Sequence, residues 1–116
     1  MPGTKPEIAC RLDALSPAER QRQKTLRTQL DAAVVRVSET ADGYVFIYRD
    51  DSDVLLQAAE WLALERRCCP FLDFELAWRA DSQAPTLRVA GSDPAVKTFI
   101  ADTFIRVLSA FIQMRS

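Results

Sequence analysis

The chain has 116 residues, 48% of them hydrophobic and 27% charged, with 15 basic and 16 acidic side chains, three cysteines and no histidine. That size fits one small domain, able to bury roughly 65% of its unfolded surface and so needing neither disulfide nor metal merely to fold. The balanced charge gives no reason to expect nucleic acid or an anionic membrane as partner, and without histidine there is no Ser-His or Cys-His pair, no imidazole base and no histidine-containing zinc site.

Residues 1–15 contain no continuous apolar stretch of the kind a secretory signal needs, and no run of 18 apolar residues occurs anywhere. The expectation is therefore a cytoplasmic chain with no membrane partner. In a reducing compartment an odd number of cysteines argues for free thiols, metal binding or redox use over a disulfide framework. This first segment holds Cys10 and is expected to be extended, ahead of a single domain over residues 16–113.

Ser16-Pro17-Ala18-Glu19 combines an N-cap serine, proline at the first helical position and a capping-box glutamate, which predicts a helix from about Pro17 to about Ala32. Its apolar stripe is thin, with Leu26, Leu30 and Ala33 at helical spacing and Arg20, Lys24 and Arg27 on another side. The basic side reads as a solvated face, because net charge is negative and no aromatic platform accompanies it. From Val34 β-branched residues take over. Val34–Glu39 and Tyr44–Arg49 read as a hairpin turning at Asp42-Gly43, with Tyr44, Phe46 and Tyr48 on one face. Such an aromatic row is more often packing than a base-stacking surface. Asp50, Asp51 and Asp53 lack the glycine and distal glutamate of a calcium loop and cap a helix over about Asp53 to Cys68, which Pro70 stops. Leu72, Phe74, Leu76 and Trp78 then alternate with Asp73, Glu75, Ala77 and Arg79, predicting a strand with one wet face. A short strand, Thr86 to Ala90, points Leu87 and Val89 inward, and Gly91-Ser92-Asp93-Pro94 opens a last helix to about Gln113.

The order α-ββα-ββα predicts an α+β fold, a four-stranded, mainly antiparallel sheet with helices packed on one face. The last helix has two apolar stripes: Val96, Phe99, Ile100, Thr103, Val107 and Phe111, and beside it Ile105, Leu108 and Ile112. So much apolar surface predicts a homodimer through the C-terminal helix; contact with the N-terminal helix alone is the simpler alternative.

The chemistry converges on Glu65-Arg66-Arg67-Cys68-Cys69-Pro70-Phe71. At about 100° per residue Ala58, Leu62, Glu65 and Cys69 share the core-facing stripe, with Cys68 beside Trp61. Glu65 is the anomaly there: partly desolvated, it could accept a proton from either thiol, both being three or four residues away. Arg66 and Arg67 favour a thiolate, whereas Glu65 and the helix C-terminus oppose one. A bond between adjacent Cys68 and Cys69 would be strained and labile, a switch more than a staple. Should the segment holding Cys10 fold back over this helix end, three thiols would meet. That set suits a soft ion such as mercury, arsenic(III) or copper(I), while zinc would need a fourth ligand such as Glu65 or a group from a second subunit. The competing reading is a non-catalytic interaction or assembly module whose cysteines only pack, with Cys10 in a loose tail.

Glu65-Arg66-Arg67-Cys68-Cys69-Pro70-Phe71-Leu72-Asp73-Phe74 resembles the signature E-R-x-C-C-P-F-L-x-F of a family of small uncharacterised bacterial proteins. The resemblance runs from about Cys10 to about Ile112 and is most specific at the double cysteine. It implies an early cysteine ahead of an S/T-x-x-E helix start, here Cys10 before Ser16-Pro17-Ala18-Glu19, and an association with heavy-metal resistance, with no established activity. The family's usual Gly-Pro before the last helix is Gly91-Ser92-Asp93-Pro94 here, which still caps that helix.

Overall fold

The computed structural model describes residues 8–106 and Leu108. A short 3₁₀ turn, Leu12–Ala14, leads into α1 (Pro17–Ala33). The strands β1 (Val34–Glu39) and β2 (Gly43–Tyr48) follow, then α2 (Ser52–Cys68), β3 (Asp73–Ala77), β4 (Thr86–Ala90) and α3 (Pro94–Ile100). A π turn, Ala101–Ile105, continues α3. The fold is α+β, as the element order predicts. All neighbouring strands are antiparallel, in the order β1-β2-β4-β3.

The helix starts are set locally. Ser16 accepts from the Glu19 amide while Glu19 accepts from the Ser16 amide, a complete capping box, and Asp51 and Asp93 cap α2 and α3. The thin stripe of α1 is the one expected: Leu26, Leu30 and Ala33 are its buried residues. Register sorts the sheet into two faces. Val37, Phe46, Leu87 and Leu76 lie side by side across the strands, as do Tyr44, Val89 and Phe74, and these rows form the core with the helices. The next row over, Ser38, Val45, Arg88 and Glu75, lies on the opposite face.

Three details depart from the sequence reading. The hairpin turns one residue early: Glu39 pairs with Tyr44, the Thr40 amide bonds the Gly43 carbonyl, and Gly43 already belongs to β2. Glycine is required there by the neighbouring strand, since a Cβ would lie 2.1 Å from the Val89 carbonyl oxygen and 2.7 Å from Ala90 Cα. β3 ends at Ala77, so Trp78 leaves the apolar alternation and is 39% exposed. Among the described residues of the last helix the buried positions are Val96, Ile100, Phe104 and Leu108, a row that includes Phe104. At about 100° per residue, positions four apart drift by about 40° each time. The wider π turn, closed by the Arg106 amide on the Ala101 carbonyl, takes up part of that drift.

Val107, Phe111, Ile112 and the expected end at Gln113, on which much of the dimer expectation rests, lie outside the described residues. Among the described residues no helix is long and apolar enough to cross a membrane.

Candidate metal centre

α1 and α2 run antiparallel, as three polar crossings show: Arg22 to Glu60, Gln23 to Glu65, and Glu19 to Arg67. The last two bracket the C-terminal end of α2, where Cys68 and Cys69 stand. Cys69 leaves the helical region (φ −125°, ψ 74°) just before Pro70, yet its amide still bonds the Glu65 carbonyl at 2.7 Å. The second cysteine thus caps the helix that carries the first.

The segment before α1 is fastened over this end. The Arg11 amide donates to the Cys68 carbonyl at 2.6 Å, satisfying one of the carbonyls a helix C-terminus leaves without a partner. Arg67 donates to the Ala14 carbonyl at 2.9 Å and to Glu19 at 2.6 Å, and Leu15 is buried in the core. These ties bring Cys10 to the pair. The sulfurs of Cys10, Cys68 and Cys69 all lie within 4.8 Å of one another, and all three thiols are free. Sulfurs around a tetrahedral ion at about 2.3 Å would stand about 3.8 Å apart, so three thiolates could close on a common ion with small side-chain adjustments.

Glu65 sits behind the sulfurs. It is 7% exposed, accepts from Cys69 Sγ at 3.5 Å through Oε1 and from Gln23 Nε2 at 2.5 Å through Oε2. Burial raises its pKa above the usual carboxylate value, against the bonds from Cys69 and Gln23, which lower it. Burial also pushes up the Cys68 thiol, with Cys10 and Glu65 adding to the rise. Cys69 is raised further by burial and by its contacts with Cys10 and Glu65. Both thiols of the pair are therefore held in the protonated form at neutral pH.

Arg66 and Arg67 do not act as thiolate partners. Arg67 is committed to Glu19 and Ala14, and Arg66 is exposed and lines a shallow surface beyond the helix end with Leu62 and Pro70. Two cations of α1, Lys24 and Arg27, share a cleft with the cluster. The cleft, of about 370 Å³, has Cys10, Cys68 and Glu65 in its wall together with Gln23, Lys24, Arg27, Trp61 and Phe104. Arg27 pairs with Asp31 at 3.2 Å, donates to the Thr103 carbonyl in the π turn and lies 4.6 Å from the centre of the Phe104 ring. It is a structural cross-link more than a solvated charge.

Sequence reading did not single out Gln23, and it placed Arg27 on a solvated side. A signal existed for Gln23, which precedes Leu26 and Leu30 at helical spacing on the buried stripe. Comparison with family models, curated proteins and solved structures finds no match to this chain. What the residues provide is a three-sulfur cluster able to hold a metal ion, with a buried carboxylate beside it and a cleft lined by Lys24 and Arg27 at its front.

Proposed function

We propose that the chain binds a thiophilic metal ion through Cys10, Cys68 and Cys69, with Glu65 as the carboxylate beside the sulfurs. The observation that carries this reading is the convergence of three free thiols from two distant segments within 4.8 Å. Packing alone explains one small buried cysteine at a helix end; it does not call for an N-terminal segment pinned so that a third sulfur meets the other two. Three thiolates and no histidine favour a soft ion, mercury(II), arsenic(III) or copper(I). Zinc would take a fourth donor, from Glu65, solvent or a second subunit. Thiol redox sensing is the weaker alternative, because redox-sensing cysteines are exposed and of low pKa, whereas Cys68 and Cys69 are buried with raised pKa values.

The proposal requires a reducing compartment, as in the bacterial cytoplasm, and it extends to the double-cysteine family that the sequence resembles, whose early cysteine stands where Cys10 does. The homodimer is a separate part of it, resting on the apolar sequence of the C-terminal helix, and sedimentation of a monomer at high protein concentration would remove it.

Titration of the reduced protein with mercury(II) against a competing thiol tests the reading. The expected result is one ion per chain, sulfur-to-metal charge-transfer absorption and three sulfur neighbours by X-ray absorption. Absence of stoichiometric binding, or equal binding by the protein with all three cysteines changed to serine, overturns it.

A further inference from the structure

The cleft in front of the cluster is far larger than an ion needs. A bare metal ion needs only a small part of it, and its volume of about 370 Å³ lies at the lower end of the range of small-molecule sites. Two of the three cysteines, Cys10 and Cys68, line it, while Cys69 is fully buried and touches Glu65. The approach to the metal-binding atoms therefore leads along Cys10 and Cys68. The charges on that approach are uneven. Lys24 and Arg27 stand in the cleft wall with Gln23, Thr28 and Thr103; Arg27 is paired with Asp31 at 3.2 Å and the carboxylate in that wall, Glu65, is engaged by Gln23 and Cys69, so the exposed charge there is Lys24. Among the described residues no carboxylate pairs with Lys24.

Soft ions in a thiol-rich solution do not travel as aquo ions; they travel bound to small thiols. Taking this together with the metal-binding reading above, on which it rests, we propose that the ion reaches the cluster as a complex with small thiols that carry carboxylates. The cleft holds that complex, and Lys24 draws in its negative charge. Delivery is ligand exchange without redox change. For a divalent ion M bound to two thiols RSH, M(SR)₂ plus three protein thiols gives M(S-Cys)₃⁻, two RSH and one proton. Each metal–sulfur bond to the carrier breaks as one to a cysteine forms. Two of the three cysteine protons leave on the departing carrier thiols and the third passes to solvent. Cys10 and Cys68, facing the cleft, make the first two exchanges, and Cys69 completes the set.

Stopped-flow transfer of mercury(II) from two carriers is the test: the bis-complex of 3-mercaptopropionate, with two carboxylates, and that of cysteamine, with two ammonium groups. The intact protein is expected to take the ion from the anionic carrier about ten times faster at low salt, the ratio falling toward one at high salt. In Lys24→Glu the ratio is expected to fall below one, and in Lys24→Gln to lie between. Equal rates from both carriers in the intact protein, or a ratio that Lys24→Glu leaves in place, overturn the inference while mercury binding itself stands. Failure to take mercury(II) from either carrier or from its chloride salt overturns the metal-binding reading as well.

Discussion

Two polar crossings join the same pair of helices, and they differ in almost everything but position. Arg22 and Glu60 form a two-pronged ion pair at 2.7 and 2.8 Å, with roughly half of each side chain open to water at 48% and 45% exposure. Deeper toward the end of α2, Gln23 meets Glu65 as a neutral amide against a buried carboxyl group. The outer pair looks the stronger in a drawing, yet water and salt screen it and two long side chains must be ordered to make it. The inner pair is shielded, so leaving either partner without the other strands a polar group away from water. A site that must hold three thiols and a carboxyl group in place is built on the second kind of contact. It is braced from outside by Arg67, which reaches Glu19 and Ala14 from the same helix end.

The largest effect is expected where the shielded side of this comparison meets the sulfurs. Cys69→Ser removes the sulfur of the fully buried cysteine of the cluster, and mercury(II) bound by that variant should show two sulfur neighbours in place of three. Charge-transfer absorption and X-ray absorption read this directly. Next comes the inner crossing. Glu65→Ala leaves the Gln23 amide and the Cys69 thiol without their acceptor and is expected to cost about 1–3 kcal/mol of stability in urea denaturation, whereas Glu65→Gln, which keeps an acceptor oxygen, should recover much of that. Equal losses in the two variants would mean that one acceptor oxygen is not enough and that both carboxyl oxygens are needed, one for Gln23 and one for Cys69.

Much of this arrangement was legible in the chain, and the exceptions have causes. The capping box at Ser16 and Glu19, the stripe of Leu26, Leu30 and Ala33, and the placing of Glu65 beside Cys69 all follow from spacing within one helix, where neighbours three and four residues apart must meet. The approach of Cys10 could be named only as a condition. No periodicity governs an extended segment, and the ties that bring it in, Arg11 to Cys68 and Arg67 to Ala14, join residues more than 50 positions apart. Phe104 fell off the expected stripe because a regular helical period was carried through a π turn. The turn at Gly43 was read from the glycine itself, although what demands glycine there is the backbone of Val89 and Ala90 on the next strand.

The brace should respond less than the buried crossing, and in a different observable. Arg67→Ala removes the bonds to Glu19 and to the Ala14 carbonyl but empties no core position. Its expected effect is a looser Cys10 segment: two-sulfur mercury(II) coordination competes with three-sulfur coordination, while the denaturation midpoint moves little. Unchanged coordination would mean that Leu15 and the Arg11–Cys68 bond hold the segment without it.

Smallest of all is the outer pair. Glu60→Gln should leave the denaturation midpoint within the scatter of ordinary surface substitutions, and raising the salt should abolish what difference there is. Acid gives a finer reading of these exposed contacts. Arg67 and the Ser16 amide hold the Glu19 carboxyl down to about 2, against 4.5 for the free side chain. A lowered value means that the unfolded chain takes up the proton first as pH falls. The help that Glu19 gives to folding is therefore complete above about 4.5 and fades as the pH drops toward 2. In Arg67→Ala, with the principal cause of the lowering gone, the Glu19 resonance followed by NMR should titrate closer to 4.5. If it still titrates near 2, the Ser16 capping bond alone holds the charge there, and Arg67 is a brace through Ala14 only.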